Sequence, residues 1–435
     1  MTRNPMKPQM MHNYFRASPD AGRCGRILGV LFATLVAAVP DSATAQFEAR
    51  LFERVEEVTA VTKRGAHEPS LTSHNGALYL SWMEHERGQT KVIMAIGSDQ
   101  NWTEPSVVHQ SADLFVNWAD SPSIAVYPDN TIAVHWLREI GPSSFDYRIE
   151  IALSQDGGTT WSEPVIPHED RSFSQHGFVS LLPIGSEYMA VIWLDGRAYG
   201  KNRGQATALP DAMQLRATTL SSDGRLARDV AIDMQTCSCC QTSMAATRDG
   251  EILAAYRDRT EGEIRDIAVA RLTKDGWQTP VRVHDDGWEL AGCPVNGPAI
   301  STHEDRVAVA WFTGADDIAA VHVAFSDDAG HSFAEPARID LGNPVGRVDV
   351  EMFEDGVAVV SWVEWTKGHE ALMVCQIKSE TGCMAREVVA INTGGASMNF
   401  PKMARLGRDI YFAWTQPDGT GDSIAMRRAT LMGLD

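Results

Sequence analysis

Cys237-Ser238-Cys239-Cys240 gathers three sulfurs into four positions, and Gly292-Cys293-Pro294 supplies a fourth further along. Thiolates are soft ligands. Joined by the imidazoles of His67 and His176, such a set suits Cu(I) or zinc, with copper the better match in an exported protein. The same cysteines could instead be disulfides, for example Cys293 to one partner and a vicinal Cys239–Cys240 bridge, since C-x-C-C is not a zinc spacing. Equivalent positions elsewhere in the chain do without cysteine, so Cys239 and Cys240 are expected to serve a site rather than the fold. A second chemical set is ionic. Arg197, Arg257, Arg259 and Arg347 offer planar, bidentate donors suited to a carboxylate. Asp195, Glu68 and Asp258 are acid/base candidates beside Tyr256, with Trp118 and Asn296 as further ligand contacts. Asp195-Gly196-Arg197 and Arg257-Asp258-Arg259 also read as ion pairs bracing the ends of strands. The sequence has no glycine-rich phosphate loop, no G-x-S-x-G elbow and no H-E-x-x-H helix.

The elements that must hold these residues repeat. Short apolar runs end at Trp82, Trp136, Trp193, Tyr256, Trp311, Trp362 and Trp414, at intervals of 51 to 63 residues. Each is preceded by a second strand-like segment that opens on a Pro, Gly or Cys cluster, such as Glu68-Pro69-Ser70-Leu71 or Cys239-Cys240-Gln241-Thr242. A period of this size built from strands predicts a β-propeller of four-stranded blades, seven by the count, with six as the alternative. The fourth blade reads as strands near 241–246, 252–256, 267–272 and 281–284. The last blade runs out after its third strand, 424–431. A strand near 57–62 is expected to complete it, closing the ring and covering two open edges.

Turns between third and fourth strands carry a motif. Ser154-Gln155-Asp156-Gly157-Gly158-Thr159-Thr160-Trp161 and Ser326-Asp327-Asp328-Ala329-Gly330-His331-Ser332-Phe333 both read S-x-D-x-G-x-[S/T]-[W/F]. The Asp side chain can accept amide hydrogens across a tight turn, and Gly can take positive φ. On these motifs the chain resembles the Asp-box (BNR-repeat) proteins of the sialidase superfamily over nearly all of residues 46–435. The resemblance implies a propeller with structural boxes and, on the opposite face, three arginines clamping a substrate carboxylate. That family's Arg-Ile-Pro motif is absent, and His67-Glu68-Pro69 stands about where it would be. Its Tyr/Glu nucleophile pair has no match beyond Tyr256.

Topology sorts the remaining candidates. Connections from fourth to first strand and from second to third strand emerge on the face away from the boxes. His67, Glu68, Trp118, Asp120, His176, Asn296 and Arg347 arrive by the first route. Glu84, His85, Asp195, Arg197, Arg257, Asp258, Arg259 and Glu364 arrive by the second.

The first 45 residues read as a signal peptide. Arg23 and Arg26 precede an apolar run over 27–39, and Ala43-Thr44-Ala45 suits cleavage. The chain's formal charge is −19, and this segment holds five basic and two acidic residues, so the remainder carries −22. Such a surface argues against nucleic acid or an anionic membrane as partner and leaves a small molecule or glycan. Cys375 and Cys383 flank a hairpin turn and are placed for a cross-strand bridge. Three functions follow. The first is an exported, periplasmic or secreted glycoside hydrolase acting in the central funnel on a terminal sugar, acidic or otherwise exposed, without a cofactor. The second is a thiolate–histidine copper or redox protein. The third is a non-catalytic glycan-binding propeller.

Overall fold

The computed structural model describes residues 50–98, 101–198, 213–395, 397–417 and 421–433. The signal-peptide reading of residues 1–45 lies outside them. Residues 48–435 form one compact unit. Its described strands make seven antiparallel sheets. The inner strands are Ala66–His74, Ile124–Val126, His176–Ile184, Ser243–Ala246, Ala299–His303, Pro344–Met352 and Lys402–Leu406. Each touches the next, and the last touches the first, which closes a ring. The protein is a seven-bladed β-propeller. Among the described residues no helix is long and apolar enough to cross a membrane.

The repeated aromatics explain why the ring holds. Apolar side chains collect into seven clusters, one in each seam between neighbouring blades, and each cluster contains one of Trp82, Trp136, Trp193, Tyr256, Trp311, Trp362 and Trp414. A Trp or Tyr buries roughly 150–250 Å² but must place its polar hydrogen. Here a recurring contact does so. The indole Nε1 donates to the residue two positions on in Trp82–Glu84 (2.8 Å), Trp193–Asp195 (2.8 Å), Trp362–Glu364 (2.7 Å) and Trp414–Gln416 (3.0 Å). Trp136 and Trp311 use Glu150 (3.0 Å) and Asp286 (2.6 Å) instead. Blade four differs, because Tyr256 donates to Asp233 at 2.6 Å.

Closure comes from the N-terminal side, five residues earlier than the sequence suggests. The strand is Phe52–Val58, paired with Asp422–Leu431 from Phe52↔Leu431 to Val58↔Met426. Phe52 and Val58 are buried apolar residues at its two ends, which sets this register over one centred on 57–62. The predicted fourth-blade strands are found at Ser243–Ala246, Ile252–Arg257, Ile267–Thr273 and Val281–Arg282, with a further short pairing at Gly276–Trp277. Cys375 and Cys383 form the expected hairpin disulfide.

The two Asp boxes share one hydrogen-bond pattern. The Ser154 hydroxyl donates to Asp156 and accepts from Gly158 N (2.8 Å), while Asp156 also accepts from Thr160 N (2.9 Å) and the Thr160 hydroxyl (2.7 Å). Ser326, Asp328, Gly330 and Ser332 repeat it bond for bond. The Thr160 amide and hydroxyl hold Asp156 down to about 2. A depressed carboxyl stabilises the fold fully above its unfolded value, near 3.9, and that contribution is lost as pH falls through about 2. Asp156→Asn is therefore expected to melt below wild type at pH 6, with the gap closing under strong acid. A pH series of thermal melts measures it.

Candidate functional site

Three of the inner strands are bulged near their starts. Register breaks between His67 and Ser70, between Gly177 and Ser180, and between Gly346 and Asp349. Inside these breaks Glu68, Phe178 and Arg347 take φ of 54°, 54° and 59°. Left-handed backbone is unfavourable for side chains of this kind and gathers where function requires it. Gly297 packs so closely against Gln241 that a Cβ there would overlap the Gln241 carbonyl oxygen. Gln241 itself links the segments leading into blades two and five, donating to Ala119 O (2.7 Å) and accepting from Gly297 N (3.0 Å).

Glu68 and Arg347 are tied together through Asn399. Asn399 Nδ2 donates to Glu68 Oε1 at 3.2 Å, and its carbonyl accepts from Arg347 Nη1 at 2.8 Å. Ser397 Oγ also accepts from that nitrogen. Among the described residues, Arg347 Nε and Nη2 and Glu68 Oε2 make no hydrogen bond. Burial, reinforced by the charge of Asp422, pushes the Glu68 carboxyl up to about 8, against the opposing Asn399 bond and Arg347. It therefore carries a proton at neutral pH. Arg347 lies over both Trp118 (5.3 Å) and Phe400 (5.4 Å), whose rings stack at 5.7 Å. Trp118 is 43% exposed. Arg347 and Phe400 line one small pocket, Glu68 is joined to Arg347 through Asn399, and Glu370 lies 3.9 Å from Arg347 Nη1. Asp120 sits behind them, pushed up to about 7 by burial and accepting from Phe178 N. Neighbouring His67 is held below its usual value by burial.

The other ionic candidates are engaged within the fold. Asp195 is fully buried. Its oxygens accept from Trp193 Nε1 and from Arg197 N, Nε (2.7 Å) and Nη2 (2.8 Å). It is the third blade's copy of the Trp–acid contact, which leaves no oxygen for a substrate. Arg197 also reaches Asp229 at 2.8 Å. Arg257 is 1% exposed and donates to three main-chain carbonyls, of Asn296 (2.9 Å), Arg265 (2.5 Å) and Phe312 (2.7 Å). Arg259 pairs with Glu263 at 2.6 Å. Asn296 bridges blades five and six, donating to Val345 O and accepting from Arg347 N. Tyr256 is buried against Asp233, and burial raises its phenol well above the usual value. Asp258 accepts from Arg259 N and is raised to about 6, first by burial and then by Asp233. Arg197, Arg257 and Arg259 are thus held by their own neighbours rather than gathered around one ligand position.

The sulfurs form a separate cluster. Cys239 is bonded to Cys293, so Cys293 has a disulfide partner as one reading expected, but the partner is Cys239 and the vicinal Cys239–Cys240 bridge does not form. Cys237 and Cys240 are the free, buried pair, with Sγ atoms 3.5 Å apart. Neither histidine joins them. His67 lies beside Glu68, and His176 lies between Asp170 (3.2 Å) and Asp195 (3.7 Å), stacked on His168. Asp170, His176 and Asp195 are spaced closely enough to hold a cation, as are Cys237, Cys239 and Cys240. The first group has Arg197 on Asp195, and the second has one sulfur in a disulfide. As found, neither offers a complete ligand set.

No family model matches the chain, and no curated protein does. Among solved structures, the phage phi92 endosialidase aligns over 88% of this chain and 70% of its own, at 11% identity and a TM-score of 0.51. The polysaccharide lyase Uly1 aligns over 92% and 96% at 12% identity and a TM-score of 0.49. An α-L-arabinofuranosidase from Fusarium graminearum aligns over 88% and 98% at 12% identity and 0.44. The likeness is one of fold.

Asn399 and Phe400 were missed by sequence reasoning as site residues. A signal existed, since Phe400-Pro401 opens the seventh repeat where Glu68-Pro69 opens the first. The Trp-x-acid contact was equally readable in the repeat, and it would have removed Asp195 from the catalytic list.

Proposed function

We propose that the protein is an exported, carbohydrate-acting propeller that cleaves a glycosidic bond next to an acidic sugar in its funnel. The observation that carries this reading is the bridging of buried Glu68 to Arg347 by Asn399, with Arg347 lying over the Trp118–Phe400 pair. Glu68 is the proton donor to the leaving oxygen, a role that needs a carboxyl still protonated near neutral pH. Arg347 Nε and Nη2 take the sugar carboxylate, and the Trp118 face takes the apolar side of the ring. A propeller fold hosts many activities, so the fold itself adds little to this assignment. Two disulfides are in keeping with export.

The test is product release from sialoside and uronide reporters and from acidic polysaccharides by the purified protein. Sugar release should fall as pH rises through about 8, where Glu68 loses its proton. Formation of a carbon–carbon double bond in the product would assign elimination rather than hydrolysis. Binding without cleavage of any acidic glycan would overturn the enzymatic reading. Trp118→Ala is expected to weaken glycan binding about tenfold, or ~1.4 kcal/mol, with thermal stability unchanged, as measured by calorimetry.

A further inference from the structure

The four-sulfur cluster takes no part in the funnel chemistry, and its geometry is that of a reaction between sulfurs. Cys237 and Cys240 stand in C-x-x-C spacing where the fourth blade begins, both unbonded and buried. Cys237 Sγ is 3.5 Å from Cys240 Sγ and 4.0 Å from Cys239 Sγ. Cys239 is half-buried and bonded to the exposed Cys293. That disulfide lines a cavity of about 410 Å³ together with Phe145, Gln175 and Arg265. Arg265 reaches inward from the wall. Its Nη1 donates to Cys237 Sγ at 3.1 Å, while Nη2 holds Glu263 at 2.8 Å.

We propose that the four cysteines form a thiol–disulfide exchange centre, in which the buried Cys237/Cys240 dithiol and the surface Cys239–Cys293 disulfide trade oxidation state. In the first step the Cys237 thiolate attacks Cys239 Sγ. The Cys237–Cys239 bond forms, the Cys239–Cys293 bond breaks, and Cys293 leaves as a thiolate that takes up the proton Cys237 had lost. In the second step Cys240 gives up its proton and attacks Cys237 Sγ, forming Cys237–Cys240 and releasing Cys239, which takes that proton. Two electrons pass from the buried pair to the surface pair, and no outside oxidant or reductant enters. The surface dithiol so produced can reduce a peptide disulfide entering the cavity, returning to Cys239–Cys293 as the peptide becomes a dithiol.

The surrounding charges favour this order of events. The hydrogen bond from Cys240 and the positive charges of Arg265 and Arg257 hold Cys237 below the ordinary thiol value, against its burial. Burial and the neighbouring Cys237 raise Cys240, so Cys237 is the nucleophile and Cys240 follows. Glu263, which pairs with Arg259 and Arg265, and Asp258 are the nearby acids of the same blade.

The test is disulfide mapping of the purified, oxygen-free protein, quenched in acid, alkylated and digested without reduction. Cys375–Cys383 serves as the internal constant. Both Cys239–Cys293 and Cys237–Cys240 linkages are expected in one population, with two thiols per cluster throughout. Cys240→Ala should stop the reaction at Cys237–Cys239 and leave Cys293 open to alkylation. Should that variant misfold, Arg265→Met provides the second reading. It should slow exchange at least tenfold and move Cys237 alkylation to higher pH. Three results would overturn the proposal: a single Cys239–Cys293 linkage with Cys237 and Cys240 alkylated only after unfolding, four cysteines fixed in two unchanging bridges, or one copper or zinc bound per chain by the thiolates.

Discussion

Glu68→Gln is expected to cut glycan cleavage by about 10²- to 10⁴-fold, the usual contribution of a positioned general acid, without loss of stability. The amide keeps an oxygen for Asn399 Nδ2 but has no proton to give to a leaving group. Stability should respond in the opposite sense from activity. A carboxyl raised from an unfolded value near 4.3 to about 8 binds its proton more tightly in the folded state. Wild-type stability therefore declines as pH rises through that window and levels off above it. The variant lacks this term and should gain on wild type between pH 5 and pH 8.5 in urea titrations. A variant with full turnover would remove Glu68 from the mechanism, and one that unfolds would mark it as a structural residue.

Arg257→Met should have the largest effect on the fold, roughly 3–5 kcal/mol in denaturant unfolding. The guanidinium is buried and, among the described residues, has no carboxylate partner. It satisfies three carbonyls belonging to the second strand of blade five and to two loops, and it lies over Trp288 at 4.9 Å. Methionine fills similar volume but strands those oxygens in an apolar seam. Arg257→Lys should recover only part of the loss, since one compact ammonium cannot meet three acceptors in a planar fork. If Arg257 were instead a substrate clamp, the methionine variant would melt near wild type and lose only ligand affinity.

The architecture was legible in the sequence because each blade needs the same thing. One large aromatic must fill each seam, so Trp82 and its counterparts recur at nearly constant spacing, and the count of seven follows from them. The Asp boxes were legible for a related reason. Their bonds run between residues no more than four apart, so Asp156 and Asp328 need only local sequence to form their turns. The Cys375–Cys383 bridge is local in the same sense, and the N-terminal strand was placed in its role though not in its register.

The site was less legible because its members are brought together by ring closure. Glu68, Trp118, Arg347, Asn399 and Phe400 come from blades one, two, six and seven, and no spacing in the chain links them. Local sequence left two readings open, a ligand role and ion pairs bracing strand ends. In Asp195-Gly196-Arg197 the ion pair is the one that forms, with Asp195 also taken by an indole, whereas burial commits Arg257 of Arg257-Asp258-Arg259 to carbonyls. The cysteines divide along the same line. Sequence brought four sulfurs to two adjacent blade entrances, but only the packing of those blades paired Cys239 with Cys293 and left Cys237 beside Cys240. The chain by itself determined what repeats and what turns locally. Which polar groups stay free was decided in the folded ring, where each donor first meets the nearest buried acceptor.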